Sequence, residues 1–100
     1  MSKENTTSPE YNLKLFITGA SPNSIKAVQN LKKICEAHIP GRYRLEVIDI
    51  YQQPEVASRE QVIAVPLLIR LSPAPGKRLI GNMSDTAQVL KGLQIPEKAP

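Results

Sequence analysis

The sequence predicts a single α/β domain, a mixed four-stranded sheet flanked by helices, and three observations predict it. An alternating apolar segment near the start is followed by a segment of helical period and then by a second β-rich segment. The span between those two strands is too long for a hairpin and suits a crossover helix. The second half then breaks into short, proline-punctuated pieces and ends in one more helical stretch.

Asn12–Thr18 (NLKLFIT) reads as the first strand, with Leu13, Leu15 and Ile17 on one face and Lys14, Phe16 and Thr18 on the other. Gly19 ends it. Ser21-Pro22 then supplies a helix N-cap and a proline at the first helical position, where its missing N–H does no harm. Ile25, Val28, Leu31, Ile34 and Cys35 recur at helical spacing through Ala37 and predict the buried stripe. Lys26, Gln29, Lys32, Lys33 and Glu36 take the remaining face, and Pro40-Gly41 stops the helix. Tyr43–Ile50 (YRLEVIDI) is β-branched and apolar enough for an inner strand. A strand–helix–strand unit of this kind is parallel and right-handed.

In the second half, Pro54–Arg59 predicts a short helix, followed by a loop to Val65-Pro66. Leu67–Leu71 and Lys77–Gly81 are short strands, and the rigid turn Ser72–Gly76 (SPAPG) makes them a hairpin. Ser84 or Asp85 caps a last helix through Leu93, with Val89, Leu90 and Leu93 facing inward. The order βαβ-α-ββα is that of a thioredoxin-like fold, with helices on both faces of the sheet.

At 100 residues, 41% of them hydrophobic and 22% charged, the chain is long enough for one ordinary globular domain with a limited core. Residues 11–95 form that domain. The polar segment Met1–Glu10 is expected to be a disordered lead-in rather than a signal peptide, and Pro96–Pro100 a frayed tail. No apolar run approaches the roughly 18–20 residues that span a bilayer. The lone Cys35 excludes a disulfide within the chain, and together with the single His38 it cannot supply four nitrogen or sulfur ligands to zinc. These features place the protein in a reducing cytoplasm, with no metal or cofactor. The net charge of +4 is too small and too scattered to indicate nucleic acid.

A thioredoxin-like order makes redox chemistry the first enzymatic hypothesis. That chemistry needs a thiolate at the N-terminus of the first helix, where the helix dipole and free N–H groups lower the thiol pKa. Here that position reads Ser21-Pro22-Asn23-Ser24. Cys35 lies on the apolar face near the other end of the helix and reads as a small buried hydrophobe. His38, also at that end, is expected to bond the last helical carbonyls. Glu60, Asp49 and Asp85 form no paired-carboxylate pattern, and Gly19, Gly41 and Gly76 form no phosphate-cradling loop. The chain therefore reads as non-catalytic. A redox or transferase role independent of a Cys-x-x-Cys pair is the alternative. Val65-Pro66 stands where thioredoxin-like folds carry a cis proline facing the first helix, so a cis bond is expected there, against a trans proline at a strand start.

Five segments in order resemble the KaiB family. They are Leu13–Ile17 with Thr18–Ser24, then Tyr43–Ile50, Pro54–Ala57, Ile63–Leu68 and Pro73–Gly81 followed by Ser84. The resemblance runs from Tyr11 to about Leu93, while the acidic C-terminal tail of cyanobacterial clock KaiB proteins is absent. It implies a regulatory protein that docks on a KaiC-type ring ATPase, in circadian timing or a related stress or adaptation system. A KaiA-like protein is a further partner, and self-association into dimers or tetramers is implied as well. The resemblance also implies a second, ground-state fold in which the C-terminal half is rearranged. Lys26, Arg70, Lys77 and Arg78 match positively charged positions of the family and are the expected partner contacts. Ordinary solvated charge, or cations that discourage edge-to-edge strand pairing at Lys77 and Arg78, is the competing reading. The input domain of a SasA-type histidine kinase shares this fold, but these 100 residues hold no kinase region.

Overall fold

The computed structural model describes residues 10–95; the expectations for the lead-in before Glu10 and for the tail from Pro96 lie outside them. The first strand, β1 (Tyr11–Ile17), takes an inner place in a sheet of order β2-β1-β3-β4. It pairs in parallel with β2 (Tyr43–Asp49) and antiparallel with β3 (Leu67–Ser72), which pairs antiparallel with β4 (Lys77–Ile80). The helices are α1 (Pro22–His38), α2 (Pro54–Arg59) and α3 (Thr86–Leu93). The arrangement is thioredoxin-like. One expectation is corrected: β2 is an edge strand rather than an inner one, and its residues Arg44, Glu46 and Val47 are exposed.

The alternation in β1 decides how the layers form. Tyr11, Leu13 and Leu15 point to one face, where they meet Ala27, Leu31, Ile34 and Cys35 of α1 and Val89, Leu90 and Leu93 of α3. Phe16 points to the other, where it joins Ile48, Leu67 and Ile69 under Val56 of α2 and Val62. Each such aliphatic or aromatic side chain contributes about 1.5–3 kcal/mol on full burial. The stripe of α1 is rotated relative to the sequence expectation. Ser24 and Ala27 are buried, whereas Val28 is only half-buried and Ile25 is exposed.

Local chemistry sets the element ends. The Ser21 Oγ accepts from Ser24 N–H and caps α1, and the Asp85 carboxylate, of the two candidate caps, accepts from Gln88 N–H at 3.1 Å. α3 stops where Gln94 turns left-handed at φ 59°. That helix lies so close to β4 that a Cβ on Gly92 would stand 2.6 Å from Leu79 Cδ2. His38 does not bond the last carbonyls as expected; its Nδ1 is buried without a partner, and Ile39 N–H takes the Cys35 carbonyl.

Candidate docking surface

Because β1 and β2 run one way and β3 the other, one end of the sheet gathers four loops. They follow β1, β2 and β4 and precede β3. The ends of parallel strands are where open α/β sheets present ligand sites. Backbone bonds lace these loops together: Ile50 N–H donates to Ile17 C=O at 2.9 Å and Gly81 N–H to Pro66 C=O at 3.0 Å. The Val65–Pro66 bond is cis, as are those before Pro73 and Pro75. At Gly81, φ is +128°, a conformation that side chains rarely adopt.

At this end the helix α1 N-terminus holds hydroxyls instead of thiols. Ser21 Oγ donates to Ser24 Oγ at 2.8 Å, and Ser24 Oγ accepts from Thr18 N–H at 3.1 Å. Ser24 is buried, and both hydroxyls are occupied in tying β1 to the helix start. No general base stands among their hydrogen-bond partners. Cys35 lies within the core, where burial foremost, and then the neighbouring Glu36 carboxylate, push its thiol up to about 12. Among the described residues, no group of three His, Cys, Asp or Glu side chains is placed to hold a metal ion, and no helix is long and apolar enough to cross a membrane.

What this end does present is apolar surface. Of the six large hydrophobic side chains exposed among the described residues, Ile25, Tyr51, Ile63 and Ile80 belong to it. Ile63 is 96% exposed and Ile80 is 69%, and the two share a groove of about 400 Å³ with Ala64, Leu67 and Arg78. A second apolar groove, of about 310 Å³, runs along Ile17, Ala20, Ile25 and Val28. The sequence reading missed these residues as surface. Ile63 carried the only available signal, an isoleucine in a loop with no helical or strand period to bury it.

The four expected partner contacts do not form one cluster. Lys26 is exposed on α1, two residues past the buried Ser24. Lys77 and Arg78 lie on the edge strand β4, Lys77 on the α3 side and Arg78 on the α2 side, where Arg78 donates to the Glu60 and Gln61 carbonyls. Arg70 is corrected. It is 2% exposed, and its guanidinium donates to Leu93 C=O at 2.5 Å, Pro75 C=O at 2.6 Å and Gln94 Oε1 at 3.3 Å. A strand position facing α3 draws this side chain inward, and the carbonyls at the end of α3 receive it favourably. It is not a surface contact in this arrangement.

Sheet order and helix start together define a thioredoxin-like fold with hydroxyls, rather than thiols, at the start of α1. Solved structures agree on that class. The chain matches the N-terminal domain of SasA from Synechococcus elongatus with a TM-score of 0.70 at 22% identity, covering 99% of this chain and 97% of that one. It matches oxidized mitochondrial thioredoxin 3 from Saccharomyces cerevisiae with a TM-score of 0.69 at 17% identity, covering 86% and 78%. Residues 14–95 match the KaiB domain, and the chain belongs to the KaiB family. It is 42% identical over 85 residues to the circadian clock oscillator protein KaiB of Prochlorococcus marinus subsp. pastoris, covering 85% of this chain and 79% of the relative. The KaiB protein of Synechococcus elongatus is 41% identical over 85 residues, covering 85% and 83%.

Proposed function

We propose that the chain is a non-catalytic clock-type regulator that docks the loop end of its sheet onto a KaiC-type ring ATPase in the cytoplasm, in circadian timing or a related stress or adaptation system. One observation supports it above the others. At the end of the sheet where thioredoxin-like folds place their chemistry, this chain presents four exposed apolar side chains, and the hydroxyls at the start of α1 are already occupied in capping. Apolar surface rimmed by polar residues is the signature of a protein-binding site. The names of its relatives support a role in timing.

Size-exclusion chromatography of the chain mixed with its cognate ATPase tests the reading. Co-elution is expected in one nucleotide state, ATP or ADP, and is weakened by Ile63→Asp and by Lys26→Glu. Absence of a complex at micromolar concentrations in every nucleotide state, after long incubation, overturns it. The same column reads dimers or tetramers of the chain and the recruitment of a KaiA-like protein. Insulin reduction that survives Cys35→Ser would support a redox role instead.

A further inference from the structure

We propose that the open edge of β4, with the groove between Ile63 and Ile80, is a strand-addition site for an extended acidic segment of a protein partner. The inference rests on the docking reading and names the chemistry that this surface takes. The β3–β4 register and the bond from Gly81 N–H to Pro66 C=O fix which backbone groups point inward. Gly81, Leu79 and Lys77 face β3, so by alternation the N–H and C=O groups of Arg78 and Ile80 face outward. Outward-facing backbone groups on an edge strand are a template for another strand.

The side chains determine what that strand carries. Ile80 and Ile63 stand beside the edge on the α2 side and form an apolar seat for one side chain of an added strand. Lys77 and Arg78 place a cation on each side of the edge; Arg78 donates to the Glu60 and Gln61 carbonyls, and among the described residues no carboxylate pairs with either cation. Glu60 is turned to Lys14 at 3.5 Å, and Asp85 accepts from Gln88 N–H. Opposite charges across a strand pair stabilise it and like charges oppose it. The edge therefore disfavours a second copy of itself and favours a strand that sets two adjacent acidic residues against Lys77 and Arg78 and apolar residues against Leu79 and Ile80. The other open edge, β2, differs in carrying Arg44 and Glu46 together, and it has no such preference.

The test uses the full chain, isotope-labelled, with two end-blocked valine-rich synthetic peptides, one carrying a central pair of adjacent glutamates and the other a central pair of adjacent lysines. The acidic peptide is expected to shift the amide resonances of Arg78, Ile80 and Ile63 and to slow exchange of the Arg78 and Ile80 amides by about tenfold at saturation. The basic peptide is expected to do neither, and Lys77→Glu with Arg78→Glu should exchange the two responses. Equal response to both peptides, a response centred on β2, or none at millimolar peptide overturns the proposal. So does protection of the same amides by raising protein concentration without peptide, which would make a second copy the occupant. The two readings also fail separately. If the Lys77→Glu, Ile80→Asp chain is folded by circular dichroism and still binds the ATPase ring as the parent does, the edge proposal fails and the docking reading stands. If the parent takes the acidic peptide but never the ring, the docking reading fails alone.

Discussion

The two faces of the sheet are built to different standards. The face under α1 and α3 buries a continuous cluster running from Tyr11 to Ile95, with Leu15, Leu31 and Leu93 wholly out of water. Among the described residues the opposite face is covered by the six-residue α2 and the loop side chains Ile50, Val62 and Val65, and its buried core consists of Phe16, Ile48, Leu67 and Ile69. Beyond that patch Asn12, Lys14, Arg44, Glu46 and Leu71 line a shallow open depression. One face thus supplies the stability, and the other is left with surface to spend on contact.

Substitutions on the two faces should separate most widely for leucine. Leu15→Ala is expected to cost about 4 kcal/mol in urea unfolding, and Leu71→Ala on the open face under about 1. Similar losses at both positions would break the comparison. Next comes Arg70→Ala, which strips charge-assisted bonds from the Leu93 and Pro75 carbonyls and should cost about 3 kcal/mol. Amide exchange should rise most in α3 and the Ser72–Gly76 turn. Gly92→Ala is a sharper probe of how tightly α3 sits. Alanine gains about 1 kcal/mol of helix propensity, yet its methyl overlaps Leu79, so a net loss of about 1 kcal/mol is expected.

A pH series gives a further contrast. Cys35 is an acid whose thiol rises from 9.0 to about 12 on folding. The unfolded chain therefore ionises first, and this contribution is intact below pH 9 and lost as pH climbs toward 12. Cys35→Ala should flatten that part of the alkaline stability profile. Tyr43 adds a parallel loss from pH 10 to about 12, because its hydroxyl donates to the Glu36 carboxylate at 2.6 Å. Tyr43→Phe removes it. The smallest effect belongs to Ile63→Asp, where a side chain already in water leaves urea stability within about 0.5 kcal/mol while complex formation falls.

The framework was legible wherever local periodicity coincided with tertiary burial. The alternation of β1, the Ser21-Pro22 start of α1 and the Pro54 start of α2 each determine their own element, and the structure places them there. Periodicity failed where position in the sheet decides the outcome. β-branched residues in β2 suit an edge strand as well as an inner one, and only strand order distinguishes the two. Arg70 was misplaced for a related reason: a cation in sequence reads as surface until a helix end is found above it. The helical stripe missed by one residue at Ile25, because Ser24 is drawn inward by hydrogen bonds that a hydrophobicity pattern does not register. The apolar loop end was the least legible part, since exposure of Ile63 and Ile80 follows from how short α2 is.

The strand order also bears on the sequence in which the chain assembles. β1, α1 and β2 are contiguous and close on one another through a connection of ordinary crossover length. The hairpin joins them through one backbone ladder, β3 on β1, formed between residues more than fifty positions apart, and α3 packs into the same core as α1. Closure entropy delays such a ladder, so the N-terminal unit is expected to emerge as the early folding nucleus and the C-terminal third to dock onto it last. By the same reasoning that third is expected to be the first cooperative unit to open, and the Arg70 guanidinium, which ties the turn to the end of α3 within it, should keep the hairpin and α3 together when it does.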